Sequence, residues 1–474
     1  MTRPWHRIDS HWLRMVKEFL PPNLVQPIWT AELQQRVVGI VSLLQGNQPA
    51  AAVAAAEVVL PLVQMQAELA AFVLAMKACG ELQVQAFDAA IASLAEATRY
   101  LPGEPRLIYS TGLIELRRGQ VEVAADYFER AVAADGSLGQ AWAALAVIRA
   151  LEQDHCRCEV AARRALACGV LLDGELVNVA LFQATYRQGK PAEGCCDLAS
   201  LAEESGALIE RLLPRFPAVA QEAMRHPDDG QPILFLYADQ AYLERHAVGL
   251  MLSLAAVRPR CRIHLHVANP GEKLHAILQH LEPHLEGMPL VVSTETVPAT
   301  LSVSPGVYHS CMRFVRFLQV LECNRHPAMV LDVDLLARRD PLQLFKDHPE
   351  ADVVLAQAEF DPLWGELFAG MVAVRPTEAG LSFVRRVAGM ILDNFDKRTS
   401  RWFLDQIALS VCHDQSQNEV RFVRVPKPAV ASRTFAPEAY FSSVVNEQKH
   451  AENQHNQYKR DLLARCGMSA MVSG

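Results

Sequence analysis

Hydrophobic and polar positions follow two different periods along this chain, and the change falls between residues 214 and 232. Upstream, small apolar residues recur every 34 positions. Ala78, Gly112, Ala146 and Ala180 make one column, Ala90, Ala124, Cys158 and Ala192 a second, and Ala97, Ala131, Ala165 and Ala199 a third. Small residues at such positions let the two helices of a hairpin, and the next hairpin, approach closely. The spacing therefore predicts helix–turn–helix units stacked into an all-α solenoid. The clearest unit is Pro105 to Leu138, with Gly112, Gly119, Ala124, Phe128 and Ala131, and Trp142 opens the unit after it. Pro102 closes the preceding unit, and Gly39, Gly46 and Ala51 suggest a degenerate first one. Residues 1–32 read as a helical extension and 33–213 as the repeat domain, with the repeats themselves reaching about 206.

Residues 214–231 hold three prolines and the run His226-Pro-Asp-Asp-Gly230, which predict an exposed linker. Beyond it, Ile233–Tyr237, Arg262–Val267, Pro289–Val292, Met329–Leu331 and Ala351–Leu355 are short apolar runs. Helical stretches such as Ala241–Val257 and Ser310–Cys323 lie between them. Strands alternating with helices predict an α/β domain over 232–445, a mixed, mostly parallel sheet with helices on both faces. Residues 446–474 read as a polar tail. His264 and His266 alternate along one strand and read as structural.

The apolar run ending at Leu331 is followed by two carboxylates one residue apart, Asp332 and Asp334. Burying acids at a strand tip is unfavourable unless a cation sits beside them. In an extended chain residues i and i+2 face the same side, so both acids can address one ion. Oxygen-only ligands suit a hard cation, Mn²⁺ or Mg²⁺. Ligands of open α/β sheets gather at the carboxyl ends of strands, where both these acids and Tyr237-Ala-Asp239 fall.

Two resemblances follow from these segments. The repeat pattern is similar to that of tetratricopeptide arrays, whose concave face binds peptide or protein. On that face, helical spacing singles out Tyr109, Arg117, Trp142 and Arg149 as exposed contacts for an acceptor. Residues 232–425 resemble a GT-A nucleotide-sugar glycosyltransferase of the family 8 type. The resemblance implies that Tyr237, Ala238, Asp239 and Tyr242 receive the nucleotide. It implies that Arg313, in Tyr308-His-Ser-Cys-Met-Arg-Phe314, approaches the nucleotide and the acids. Asp332 and Asp334 would bind a divalent metal and the donor diphosphate. Gly370, in Phe368-Ala-Gly-Met371, would line the sugar, and Asp405 and Gln406, in Trp402-Phe-Leu-Asp-Gln406, would lie at the reacting centre. Asp405 also stands where it could cap a helix over 406–411. Two departures from the family pattern stand out: Ala369 replaces a common Asn, and no Lys-Pro-Trp-like segment follows a C-terminal His. His450 is the candidate third metal ligand, with His455 as its rival.

The resemblance implies a nucleotide-sugar donor, a UDP-sugar in the first place, and a protein or peptide acceptor on the array. That pairing points to protein O-glycosylation, for example of a bacterial flagellar or surface protein. The alternatives are a glycan or lipid-linked acceptor, or a scaffold that has lost catalysis. At 474 residues, 51% hydrophobic and 21% charged, the chain has ample material for two cores. A net charge of −8 argues against a nucleic-acid partner. No apolar window predicts a signal peptide or a membrane span. The 11 scattered cysteines lack the spacing of a zinc site and read as reduced thiols of a cytoplasmic protein.

Overall fold

A computed structural model describes residues 30–170, 174–300, 303–358, 361–444 and 452–470. The chain divides into two compact units, residues 1–194 and 195–474. The expected extension over 1–32 lies almost wholly outside the described residues.

The first unit is all helix: α1 (Ala31–Gln45), α2 (Pro49–Val63), α3 (Ala67–Gln83), α4 (Phe87–Tyr100), α5 (Pro105–Arg118), α6 (Val121–Ala134), α7 (Gly139–Leu151), α8 (His155–Ala167) and α9 (Gly174–Arg187). Consecutive helices pack as hairpins, α1 on α2 through α7 on α8. The small-residue columns are the seams of those hairpins. Ala78, Ala146 and Ala180 are fully buried, as are Ala90, Ala124, Cys158, Ala97, Ala131 and Ala165. At Gly112 a Cβ would come within 2.7 Å of the Phe128 ring, so only glycine allows α5 and α6 to close at that point.

The columns end earlier than expected. Ala192 and Ala199 lie outside any α-helix, and the array stops at Arg187 rather than near 206. Gly189 turns the chain with φ 66°, Pro191 follows, and Gly194 adopts φ 114° against the carbonyl of Asn178. A left-handed glycine and a proline in quick succession leave no room for a second helix in that repeat.

The second unit begins upstream of the expected linker. Residues 197–226 are strapped to the α/β core instead of standing free. In α10 (Ser205–Leu212), Leu208 and Leu212 are buried, and the helix packs on α14 (Glu378–Asp396). The amide of Asp197 donates to Asn394 Oδ1 (2.7 Å), and Asn394 donates back to the Asp197 carbonyl (2.9 Å). Arg316 donates to the Pro217 carbonyl (2.6 Å) and Asn324 to that of Met224 (2.8 Å). Prolines here shape an ordered strap, because buried side chains and buried donors fix its path.

The sheet has seven strands: β1 (Ile233–Asp239), β2 (Arg262–Ala268), β3 (Leu290–Glu295), β4 (Ala328–Leu331), β6 (Val353–Gln357), β7 (Leu367–Val374) and β8 (Phe422–Pro426). Their order is β3-β2-β1-β4-β7-β6-β8. Every neighbouring pair is parallel except those made by β7, which is antiparallel to both β4 and β6. The carboxyl ends of β1, β4, β6 and β8 therefore share one edge with the start of β7. The remaining helices are α11 (Val248–Val257), α12 (Leu274–Leu281), α13 (Pro305–Asn324), α15 (Leu404–Ser416) and α16 (Gln454–Arg465). A small second sheet joins β5 (Leu336–Ala337), β10 (Phe441–Ser442) and β9 (Ala431–Ser432). Strands β1, β4, β6 and β7 are buried along nearly their whole length, which is why they are continuous apolar runs and not alternating ones.

Candidate functional site

Helix α13 carries the central cation of the carboxyl edge. Arg313, its side chain 8% exposed, ion-pairs Asp332 and donates from Nη2 to Asp405 Oδ2 at 2.9 Å. One guanidinium thus ties the residue after β4 to the first turn of α15. Its fork geometry suits two carboxylates at once. Asp405 is deeply buried, and burial holds its carboxyl above the usual value even though Arg313 pulls it down. It does not cap its helix. Leu404 opens α15 and Asp405 lies inside the first turn, reached through Phe403, whose φ of 74° is left-handed. Gln406 is half-buried beside it.

The two acids after β4 differ from the extended arrangement expected of them. The strand ends at Leu331, and the amide of Leu335 donates to the Asp332 carbonyl (3.2 Å), closing a turn. Asp332 and Asp334 remain half-buried while Val333 between them is buried, so the acids keep access that the intervening residue lacks. Gly370 on β7 presses against them. Its carbonyl accepts from the Asp332 amide (2.8 Å), and a Cβ there would fall 2.8 Å from Asp332 Oδ2 and into the Phe368 ring. Ala369, next in line, is buried.

At the end of β1 the expected nucleotide residues separate into different roles. Tyr237 is buried and donates its hydroxyl to Glu295 (2.6 Å), and Ala238 is buried too. Asp239 caps the following helical turn by accepting from the Tyr242 amide (2.7 Å), and Tyr242 itself is exposed. His309, one turn before Arg313 on α13, connects these groups. Its Nδ1 lies 3.3 Å from the Tyr237 hydroxyl and its Nε2 4.0 Å from Asp239. Sequence reasoning missed His309, although its four-residue spacing from Arg313 on one helix was available.

A buried polar network underlies this end. Glu295 ion-pairs Arg316 and lies 3.6 Å from His266. Burial alone would raise the Glu295 carboxyl, but His266 and Arg316 hold it down to about 2. His264 and His266 both contact Ser293 Oγ at 2.8 Å, and burial keeps both imidazoles below their usual value, as structural histidines.

Asp332 and Asp334 fit a hard divalent cation by chemistry. They offer oxygen donors with partial access two residues apart, and a carboxylate bound to Arg313 retains a second oxygen. Among the described residues no group of three or more His, Cys, Asp or Glu gathers as a metal cage. His450 lies outside the described residues. His455 is buried, with Nδ1 2.9 Å from the Ser442 hydroxyl.

In the repeat unit, two of the four residues expected on the concave face are structural. Tyr109 is 2% exposed and packs on Phe128 (5.4 Å between ring centres). Arg149 is held by Glu129 and by Glu152 (2.5 Å). Trp142 is half-buried with its indole donating to the Gly136 carbonyl (3.0 Å), and Arg117 is half-buried.

All 11 cysteines are free, and no described helix is long and apolar enough to cross a membrane. Residues 272–459 match the model of the nucleotide-diphospho-sugar transferase family. That range contains Arg313, Asp332, Asp334, Gly370, Asp405 and Gln406 and leaves β1 and β2 outside. No curated protein matches the chain. Among solved structures, MamA aligns at 15% identity over 32% of this chain and 84% of its own, with a TM-score of 0.26. The glycosyltransferase GlyE of Streptococcus pneumoniae TIGR4 aligns at 14% identity over 52% of this chain and 66% of its own (TM-score 0.34). The galactosyltransferase LgtC, solved with donor and acceptor sugar analogues, aligns at 12% identity over 50% and 95% respectively (TM-score 0.33).

Proposed function

We propose that this chain, a glycosyltransferase with a nucleotide-diphospho-sugar transferase domain behind an array of helical repeats, moves a sugar from a nucleotide-sugar donor to a protein or peptide acceptor held by the array. The supporting observation is Arg313, which gathers Asp332 and Asp405 at the carboxyl edge of the sheet. A UDP-sugar is the expected donor, and Mn²⁺ or Mg²⁺ the expected ion.

The chemistry asks for these groups. A nucleoside diphosphate gathers negative charge as the sugar–phosphate bond breaks, and Arg313 offers a fixed cation where that charge develops. Asp332 and Asp334 would hold the divalent ion, which supplies Lewis-acid neutralisation when bound. Asp405, buried and oriented by Arg313, faces the sugar centre as a carboxylate that orients donor and acceptor or takes the acceptor proton. Gln406 would hydrogen-bond a sugar hydroxyl, and Gly370 lets the Phe368 ring and the Asp332 carboxylate close on the start of β7, where the sugar would lie. Tyr237, already bonded to Glu295, acts through its ring or through the placement of Asp239 and His309.

The array supports a polypeptide acceptor because stacked hairpins present an extended surface. The flagellar or surface-protein setting is part of the same proposal. Donor hydrolysis followed with and without Mn²⁺ tests the metal. Asp332→Asn and Asp334→Asn should each abolish the Mn²⁺-dependent rate while circular dichroism stays unchanged, because half-exposed acids contribute little to the core. Undiminished turnover in both variants sinks the assignment.

A further inference from the structure

Along the active edge the strands place a series of groups in order: Asp239 at the end of β1, Asp332 after β4, Phe368 and Gly370 at the start of β7, and Lys427 directly after β8. Phe368 sits between the last two. Its ring closes on Gly370, beside Asp332, and the Lys427 ammonium lies 5.4 Å from the ring centre on β8's side. Lys427 is 19% exposed and stands 3.5 Å from Asp361, in the connection between β6 and β7. Arg433, exposed just beyond β9, is a second cation acting on the same Asp361. It makes no ion pair or hydrogen bond among the described residues. Among the described residues Asp361 is thus the carboxylate that acts on both cations, and only Lys427 pairs with it. Burial also pushes the Lys427 ammonium below its usual value, and Arg433 adds to this while Asp361 opposes it.

Under the function proposed above, the leaving diphosphate lies at Asp332 and the base toward β1. The sugar then covers Gly370 and Phe368, and its far substituent points at Lys427. We infer that Lys427, backed by Arg433, receives a carboxylate carried on the transferred sugar, so that the donor is a nucleotide-activated acidic sugar of the uronic acid class. A neutral hydroxymethyl group at that place leaves Lys427 and Arg433 with Asp361 alone between them. A carboxylate gives it a charge-assisted hydrogen bond in a partly dehydrated position.

The test compares binding of UDP, UDP-glucose and UDP-glucuronic acid to the full chain with Mn²⁺ by calorimetry, and repeats it with UDP-galactose and UDP-galacturonic acid. In each pair the acidic sugar should bind at least about 10-fold more tightly, the worth of one good charge-assisted bond. In Lys427→Met, which keeps the packing stem over Phe368, that preference should fall toward unity, and Arg433→Gln should lower it in part. Equal affinity for acidic and neutral donors in the wild type overturns the inference. So does a Lys427→Met variant that weakens UDP alone by as much as the acidic donors, which would put the ammonium on the diphosphate. A Lys427→Met variant with its preference intact and only acceptor-dependent transfer impaired also overturns it. If UDP itself fails to bind, the nucleotide reading falls, and this inference falls with it.

Discussion

Asp405 shows how one residue is placed in conflict with stability. Burial lifts its carboxyl above the ordinary 3.8, so the folded chain holds that proton more tightly than the unfolded chain does. The sign follows directly. The contribution of the neutral form is fully present below 3.8 and is lost as pH rises through the raised value, and Arg313 offsets the cost of the ionised form. Asp405→Asn removes that liability and keeps an oxygen to accept from Arg313. The variant should melt at or above the wild-type temperature at pH 7, with the difference vanishing below pH 3.8. Donor turnover should meanwhile fall by about 100-fold or more, the usual scale for losing a positioned acid–base group. A melting temperature several degrees lower at pH 7 would mean that the Arg313 pair outweighs burial. At this scale the sequence was informative where chemistry is unusual. Two acids after an apolar run and an arginine in an aromatic-flanked segment both came to the same edge. It was silent where a partner is remote. Glu295 and Arg316 are ordinary charges until folding buries them together, and the helix face expected to present Tyr109 is packed inside, with Gly112, Leu113 and Leu116 buried beside it.

Elements were legible in proportion to their periodicity. The small-residue columns placed helices α3 to α8 because each column is a seam, and continuous apolar runs placed β1 to β4 and β6. Strand β7 was missed as a strand: Leu367–Val374 was noticed only for the segment that would line a sugar. Its antiparallel insertion between β4 and β6 leaves no trace in local composition. Strand β8, half-exposed and carrying Arg424, gave no apolar signal either. Yet the start of β7 sets the acid's position. Gly370→Ala would drive a methyl group into the space shared by the Phe368 ring and the Asp332 carboxylate. The half-buried ring can swing aside more readily than Asp332 can leave Arg313, so the fold should survive. We expect melting within a few degrees of wild type and donor hydrolysis reduced by about 10-fold or more, consistent with the sensitivity of rate to sub-ångström misplacement. Unchanged hydrolysis would show that the Asp332 carboxylate tolerates displacement.

For the whole molecule, the decisive matter is where the chain may be cut. Prolines and the His226–Gly230 run suggested a free linker at 214–231, because sequence shows which residues discourage helix and not which surface a non-helical segment covers. In the structure those residues belong to a longer strap, 197–226, which contributes Leu208, Leu212 and Met224 to buried positions and supplies carbonyls to Arg316 and Asn324. Removing it would uncover apolar surface on α14 and leave the Arg316 guanidinium without one acceptor. The break in packing lies instead at residues 188–194, after α9, where glycines at 189 and 194 and a proline at 191 interrupt the helices. Limited proteolysis should therefore cut first within 188–194 and leave 214–231 intact, since cleavage follows exposed backbone outside the packed helices. A fragment beginning at Cys195 should be soluble, should unfold cooperatively, and should hydrolyse donor at a rate near that of the full chain. One beginning at Asp229 should aggregate or melt well below it, having lost the buried side chains of Leu208, Leu212 and Met224, at about 1.5–3 kcal/mol each. Cleavage at 214–231 before any other site, or equal stability of the two fragments, would show that the strap is dispensable to the transferase fold. A Cys195 fragment that retains hydrolysis yet no longer modifies a protein acceptor would assign acceptor capture to the helical repeats. Retained protein modification would place that capture on the α/β unit itself.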